Sequence, residues 1–381
     1  STGANAAFTA TGGGTINVCD ESPCAPGSTG ALVNRLTTTT ATALNVNGTS
    51  IGANNPEFKS ISSNGGSATG IILINTGASG SLVVKGDGGT ARGGNSSGGT
   101  IANKTGGADG DGTTSSAVYI NNGSAILRNM TMSRLDNYGV YGLSVRNVTV
   151  QYSSVGAISG AACADGDGDI GSTSASGDAA LVFGISNPSG SNGFTSGGTL
   201  LLDNLKVYCS IEHQVEIYQQ SGTFTATISN SDIKDASSSF GGDGVQTEMQ
   251  GTANATITVD SVSFDDNKSQ AVQAAANDNS VLDMTVKNST LVRSTQGNEG
   301  ILLSNGSGGR LTAHVTGNNI SGIPGANIYV GQTAGNATSA SYLTAYIANN
   351  TITHPTSATN SAILAFLTSC NGSSCTAQAA P

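Results

Sequence analysis

The feature that most constrains the fold is a pattern of apolar and polar residues that returns about every 29 residues. In residues 281–303, apolar side chains alternate with polar ones from Leu282 to Val286, which predicts a strand with one buried face. Asn288 then marks a polar corner, and a second short strand begins at Ile301. Because one such repeat cannot bury its apolar side chains alone, the repeats are expected to stack on one another.

Two sets of aligned positions support the stacking. When eight repeats are aligned on Asn288, the residues two before and three after each corner are apolar at every position, although only 36% of the chain is hydrophobic. The predicted corner residues are Asn129, Asn147, Asn204, Asn230, Ser261, Asn288, Gly317 and Asn349. The second strand of each repeat is marked by Val118, Val140, Leu181, Val215, Val245, Val272, Ile301, Ile328 and Ile363.

These alignments predict an all-β fold, a single-stranded parallel β-helix (a solenoid) of roughly ten to eleven rungs. A corner Asn tolerates left-handed backbone, and stacked Asn amides can hydrogen-bond along the axis as a ladder. The predicted ladder residues are Asn129, Asn147, Asn204, Asn230, Asn288 and Asn349. The predicted parts are a capping or edge-strand segment (1–60), the β-helix (61–369) with insertions near 86–115 and 153–199, and a disulfide loop with a tail (370–381).

Composition narrows the classes of function. Only 10% of the residues are charged, against about a quarter in average proteins, and the net charge is −10 with 14 scattered Lys and Arg. Such a chain lacks the basic surface that nucleic acid or anionic lipid requires. No apolar run approaches the ~20 residues that span a bilayer. We therefore expect neither a nucleic-acid partner nor a membrane span. The chain starts at Ser1, which predicts a processed or excised segment.

The cysteines predict disulfides. They are Cys19, Cys24, Cys163, Cys209, Cys370 and Cys375. An even number in a Lys-poor chain rich in Thr and Asn fits an oxidising compartment. Proximity in sequence favours one small loop closed by the first two and another by the last two, which leaves the middle two to pair. A zinc site is the alternative, but the chain has no C-x-x-C pair and only three His.

The repeats also resemble a known class of proteins. The N-x-x-Φ corners, the G-[IV]-x-[ILV] second strands and the run A-V-Y-I-N-N-G-S-A-I-L-R-N-M-T-M are similar to right-handed parallel β-helices of the pectin-lyase-like class. More narrowly, they resemble repeat regions of bacterial surface and autotransporter-like proteins. The resemblance covers about residues 66–369 and implies an extracellular location at a bacterial surface. It implies no single activity, because this fold hosts lyases, hydrolases, phage spikes and adhesive stalks.

Two Gly-spaced acidic runs are candidate calcium sites. Asp165, Asp167 and Asp169 in D-G-D-G-D can place three oxygens around a hard cation. Asp109 and Asp111 form a shorter run. The longer run resembles the start of an EF-hand loop but lacks the central Gly and the final Glu of that loop. A solvated turn between repeats is the alternative, and no other cofactor is expected.

One group of acidic residues is a candidate catalytic site. Among the outward positions of the second strands only Glu216 is acidic. Glu248 and Asp243 lie on the next repeat, and His213 lies near Glu216. Two carboxyl groups on neighbouring strands could act as acid and base on a glycosidic bond. The resemblance implies clustered Asp residues in polygalacturonases and calcium-binding acids in pectate lyases. Neither motif is present, so a polar outer face with no catalytic residues is the preferred interpretation.

Two functions are predicted. The first is a non-enzymatic, structural or adhesive protein of a bacterial surface, which associates with copies of itself into filaments or binds surface glycans. The alternative is a polysaccharide-active enzyme, a lyase or glycoside hydrolase, or a phage-spike-like glycan binder. Tyr119, Tyr138 and Tyr141 form the one aromatic cluster, for which packing between repeats is favoured over sugar binding.

Overall fold

The computed structural model describes residues 2–19, 34–108, 111–156, 170–171, 179–185, 190–234, 242–292, 299–306, 308–333, 341–353 and 361–368. Every helix or strand assigned within these ranges is a β-strand, so the all-β prediction is confirmed for them. The strands are β1 (Phe8–Thr11), β2 (Thr15–Val18), β3 (Arg35–Thr38), β4 (Leu44–Asn47), β5 (Ser50–Phe58), β6 (Ser60–Asn64), β7 (Ile71–Ile74), β8 (Leu82–Val84), β9 (Gly99–Lys104), β10 (Val118–Asn121), β11 (Ala125–Arg128), β12 (Met130–Leu135), β13 (Val140–Leu143), β14 (Val145–Gln151), β15 (Ser154–Gly156), β16 (Leu181–Ile185), β17 (Ser191–Asn192), β18 (Phe194–Asp203), β19 (Lys206–Tyr208), β20 (Val215–Ser229), β21 (Asp232–Lys234), β22 (Val245–Asp260), β23 (Ser263–Asp265), β24 (Val272–Ala276), β25 (Val281–Lys287), β26 (Thr290–Val292), β27 (Ile301–Asn305), β28 (Arg310–Thr316), β29 (Asn319–Ser321), β30 (Ile328–Thr333), β31 (Tyr342–Ala348), β32 (Thr351–Thr353) and β33 (Ile363–Thr368).

Strands that lie one repeat apart pair in parallel, and these pairings form three stacks. The first stack runs β1-β4-β7-β10-β13-β16-β20-β22-β24-β27-β30-β33. The second runs β2-β5-β8-β11-β14-β18-β20-β22-β25-β28-β31. The third runs β3-β6-β9-β12-β15-β19-β21-β23-β26-β29-β32. Alternate apolar side chains of all three meet in one core.

The predicted positions of the second strand are confirmed. Each of the nine residues from Val118 to Ile363 is the direct register partner of the next along the first stack. The first eight are fully buried, whereas Ile363 on the last strand is 45% exposed. The period-2 pattern therefore identified the buried face of this stack correctly.

The predicted single-stranded β-helix is wrong. The first two stacks share β20 and β22, which are 15 and 16 residues long, so 22 strands belong to one barrel-like sheet and 11 to a second sheet. The larger sheet is parallel except where β17 pairs antiparallel with β16. A solenoid of separate short strands would have a corner in each of these stretches. Gly222 in β20 and Gly251 in β22 do have positive φ (80° and 54°), but both strands continue through these bends, with a register shift between Gln219 and Ser221.

The predicted left-handed corners are confirmed, with one exception. Asn129, Asn204, Asn230, Ser261, Asn288, Gly317 and Asn349 have φ between 49° and 68°. Asn147 does not belong to this set, because it lies inside β14 and pairs with Thr199. Tyr152, with φ of 49°, occupies the corner instead. Positive φ is costly for most residues, and short polar side chains tolerate it best.

The predicted Asn ladder is not formed by the corner residues. Asn204 and Asn230 donate their side-chain N–H groups to Asp203, and Asn288 donates to Asp260, at 2.9–3.0 Å. The buried ladder lies one residue further along the chain. Its side-chain oxygens accept from the main-chain N–H of the neighbouring repeat, and its members are Ser153, Ser231, Ser289, Asn318 and Asn350.

Only parts of the two ends of the chain are described. Residues 1–60 supply β1 to β5 and the start of β6 to the same stacks. Cys24, Cys163, Cys370 and Cys375 lie outside the described residues, as does the whole of 370–381. No disulfide between two described cysteines is found. The described residues therefore do not test the predicted pairings, although neither Cys19 nor Cys209 is free.

Replacing Asn318 with Ala should lower the free energy of unfolding by about 2–4 kcal/mol. Asn318 is 1% exposed; its side-chain oxygen accepts from Ser289 N, and its amide donates to Val286 O. The Ala variant leaves both main-chain groups buried without these partners. Urea denaturation measures the loss. Asn319→Ala, at the exposed neighbouring position, is the matched control, and an equal loss in both variants would contradict the assignment.

Candidate functional site

The predicted acidic residues meet where β20 and β22 begin. We call Glu212, His213, Glu216, Asp243 and Glu248 the acidic cluster. Glu216 and Glu248 lie on the outward face of the strands, whereas the other three lie in the turns that precede them. Glu212, His213 and Asp243 are all buried, at 7%, 6% and 2% exposure. The register of β20 against β22 brings the residues of the two repeats together.

His213 is held between two carboxyl groups. Its Nδ1 lies 3.3 Å from Asp243 Oδ2, and its Nε2 lies 3.9 Å from Glu212 Oε1. The Asp243 main-chain N–H also donates to Nδ1 at 3.2 Å. The neutral ring can accept this bond at Nδ1 while it carries its proton on Nε2. The charged ring instead carries a proton on Nδ1, which suits the Asp243 carboxylate.

The surroundings of His213 favour its charged form. Burial opposes that form, but the Asp243 hydrogen bond and the negative charges of Asp243, Glu216 and Glu212 outweigh it, so the His213 pKa is raised above 6.5. The ring therefore keeps its proton to higher pH than an ordinary His does.

Glu216 is a carboxyl group that holds its proton unusually well. Its pKa is raised to about 7: burial raises it most, the charge of His213 lowers it, and the charges of Glu212, Glu248 and Asp243 raise it. The side chain is nevertheless partly exposed at the surface. A carboxyl group of this kind can donate a proton near neutral pH, which an ordinary Glu cannot do efficiently.

Glu248 has different surroundings. Its Oε1 accepts from Gln250 Nε2 at 2.5 Å, Tyr218 OH donates to Gln250 Oε1 at 3.0 Å, and Gln220 donates to Tyr218 OH at 2.6 Å. Glu216 lies opposite Gln246, so Glu248 is two residues along the neighbouring strand. With a strand spacing of about 4.8 Å and two residues spanning about 6.6 Å, the Cα atoms of the two Glu residues are on the order of 8 Å apart.

The two carboxyl groups belong to a wider polar surface. We call Glu216, Gln246, Glu248, Gln250 and Gln273 the polar face. Glu216, Gln246 and Gln273 are register partners on three successive strands. All five side chains are partly exposed, and they offer both donors and acceptors. The polar face can therefore hydrogen-bond an extended, hydroxyl-rich ligand that crosses several strands.

The tyrosine cluster lies beside this face but is not accessible. Tyr119, Tyr138 and Tyr141 are 4–7% exposed, and the ring centroids of Tyr138 and Tyr141 are 4.5 Å apart. Gly112 approaches Tyr141 so closely that a Cβ atom there would overlap the ring. Burial raises the pKa of Tyr141. The interpretation as packing between repeats is therefore supported, and these rings offer no free face for a sugar.

Some residues of the site were missed in the sequence. Gln270 and Glu299 follow His213 and Asp243 in the turns before successive strands of the first stack. The Gln270 main-chain N–H donates to Asp243 Oδ1 at 2.8 Å, and its side chain donates to Glu299 Oε2 at 2.9 Å. They interrupt the apolar pattern at the same position of each repeat, and that coincidence is the signal that could have revealed them.

The candidate calcium residues are mostly outside the described part of the chain. Asp109, Asp165, Asp167 and Asp169 are not described, so the site at the longer run stays a prediction. Asp111 Oδ1 accepts from the main-chain N–H and the hydroxyl of Thr113, at 2.9 and 2.6 Å. This geometry is that of a turn. Within the described residues no group of three or more His, Cys, Asp or Glu could hold a metal ion.

Comparisons with known protein families, with curated proteins and with solved structures gave no match. The resemblance to pectin-lyase-like repeat proteins is therefore untested by them. Among the described elements, none is a helix of the length and apolarity needed to cross a membrane.

The raised pKa of Glu216 should appear in the pH dependence of stability. Between about 4.5 and about 7 the folded protein holds a proton on Glu216 that the unfolded chain releases. Stability therefore falls as the pH rises through this window. Because Glu216→Gln removes this titration, the variant should lose up to about 3 kcal/mol less than the wild type between pH 4.5 and pH 8.

Denaturation at a series of pH values measures this difference, and His213 is present in both proteins. Asp283→Asn alters an exposed carboxyl group on the second stack and should keep the wild-type slope. Parallel curves for wild type and Glu216→Gln would show that Glu216 is an ordinary carboxyl group.

Proposed function

We propose that the protein binds a neutral polysaccharide along the polar face, in a non-enzymatic role. The observation that carries this proposal is the alignment of Glu216, Gln246 and Gln273 across three neighbouring strands. A linear chain of sugars presents hydroxyl groups at regular intervals, and a row of amide and carboxyl groups can donate to and accept from them. The extracellular bacterial location, the structural role and the self-association predicted from the sequence remain predictions.

The charge of the site favours a neutral ligand over an acidic one. Glu212, Glu216, Asp243, Glu248 and Glu299 all lie in or beside the polar face, and His213 is the group among them that can be positive. A uronate or sulfate group placed here would meet like charges in a partly desolvated place, which is unfavourable. Sugar hydroxyl groups meet no such penalty.

Hydrolysis of a glycosidic bond is the second candidate function. It is favoured by the pKa of about 7 at Glu216, which suits a general acid. The diagonal placement of Glu248 on the next strand puts the two Cα atoms on the order of 8 Å apart, which leaves room for the wider carboxyl separation, about 6.5–9.5 Å, of inverting glycosidases. In such a reaction Glu216 would protonate the leaving oxygen, and Glu248 would take a proton from the attacking water.

Binding to a panel of soluble neutral and acidic polysaccharides tests the proposal, measured by calorimetry on the full chain. Neutral members should bind. Gln246→Ala and Gln273→Ala should each weaken binding about 3–10-fold, as expected for one lost hydrogen bond. Thr312→Ala, on the exposed face of the second stack, is the control and should not change the affinity. An equal loss in the control, or no binding at all, would overturn the proposal.

Reducing-end assays on the same panel separate the two functions. Products that disappear in Glu216→Gln, with binding retained, would establish hydrolysis. Binding without products across the panel would leave the non-enzymatic role and remove hydrolysis.

A further inference from the structure

A polar cavity lies at the corner between the second and third stacks, away from the polar face. Its volume is about 580 Å³, within the range of small-molecule sites. Lys59, Lys85, Arg128, Asn129 and Gln151 contribute to its walls, together with the loop that follows β8. We call it the corner pocket.

The loop that closes the corner pocket, residues 85–98, is tied down along its length. Gly86 N donates to Lys59 O at 3.0 Å, and Gly93 N donates to Asn204 O at 2.9 Å. Arg92 forms an ion pair of 2.7 Å with Asp232. Gly94 approaches Tyr152 O so closely that any Cβ would clash. The loop is therefore a built wall of the pocket.

Within the loop, Asp87 is fully occupied by its neighbours. Its Oδ1 accepts from Gly89 N at 2.9 Å and from Ser97 Oγ at 2.8 Å, and its Oδ2 accepts from Asn95 Nδ2 at 2.7 Å. These bonds, with that to Gly89 the strongest, lower the pKa of Asp87. The carboxylate thus serves to shape the loop.

The corner pocket has an excess of positive charge in a protein whose net charge is −10. Three cations line it: Lys59, Lys85 and Arg128. Lys85 is neutralised by Glu57 at 2.6 Å. Lys59 and Arg128 form no ion pair with any described residue. Among the residues that line the pocket, three are cations and one, Asp87, is a carboxylate.

Two neighbours fix the polar groups of the pocket. Arg128 Nε donates to Gln151 Oε1 at 3.2 Å, and Gln151 in turn donates to Asp203 at 3.1 Å, so the guanidinium is held in place. Asn129 donates to Gly89 O at 3.0 Å. Asn129 Oδ1 is buried and has no hydrogen-bond partner among the described residues. A buried acceptor without a partner is costly, and a ligand hydroxyl group would relieve it.

We infer that the corner pocket binds a small polyhydroxylated anion, either a sugar phosphate or a sugar acid. Arg128 and Lys59 hold the phosphate or carboxylate group, because the planar guanidinium donates two parallel bonds to such groups. A hydroxyl group of the ligand donates to Asn129 Oδ1. The inference is independent of the proposed polysaccharide binding, which uses other strands and other side chains.

Calorimetry on the full chain tests the inference with glucose 6-phosphate, gluconate, glucose and inorganic phosphate. At least one of the two polyhydroxylated anions should bind at least tenfold more tightly than both glucose and inorganic phosphate. Tighter binding of glucose 6-phosphate would identify a phosphate group as the preferred anion, and tighter binding of gluconate would identify a carboxylate group. Raised salt should weaken this binding.

Variants assign the binding to the corner pocket. Arg128→Gln and Lys59→Gln should each weaken it at least tenfold, whereas Lys287→Gln, the same charge change on a surface residue, should not. Asn129→Gly keeps the left-handed backbone (φ of 56°) and removes the amide. It should weaken binding of the sugar anion and leave that of inorganic phosphate unchanged.

Three outcomes would overturn the inference. They are no binding of either anion, equal binding of inorganic phosphate, and full binding in both Arg128→Gln and Lys59→Gln. Gln273→Ala should bind these anions normally, so a failure of the polysaccharide proposal and a failure of this one are told apart.

Discussion

Parallel hydrogen bonding between strands one repeat apart is the constraint on which the rest of the structure depends. Each strand finds its partner a full repeat away, as when Val245 pairs with Val272 and Val272 with Ile301. A shift of one residue would turn every apolar side chain to the outside. The chain must therefore turn at the same position in every repeat. The left-handed corners at residues such as Asn204 and Asn288 meet that requirement.

The parts of the fold that repeat could be predicted from the sequence, and those that do not repeat could not. Around β14 two alignments fit the apolar pattern equally well, one on Asn147 and one on Tyr152. Asn is the more usual residue at a left-handed corner. However, Val150 and Gln151 pair with Leu202 and Asp203 at the end of β18, so the next residue, Tyr152, lies at the corner. Tertiary pairing overrides local preference here. The corner pocket was missed for a related reason, since its wall is a Gly-rich loop with no period.

The shared strands β20 and β22 explain why the polar face lies where it does. Tyr218 on β20 is the register partner of Glu248 on β22, and Gln250 hydrogen-bonds both of them. The repeat alignment of the sequence was enough to place Glu216 and Glu248 on neighbouring strands. It did not predict the hydrogen bonds that join Glu248, Gln250 and Tyr218.

The charge of the protein separates the two candidate sites. In the acidic cluster several carboxyl groups share one histidine, and like charges at short range in a desolvated place cannot all persist. The cluster resolves this by holding a proton on Glu216, whose pKa is about 7, and by favouring the charged form of His213. The corner pocket has the opposite imbalance, since Lys59 and Arg128 form no ion pair with any described residue. A neutral ligand suits the first site and an anion suits the second. The two proposed sites thus differ in local charge within one protein whose net charge is −10.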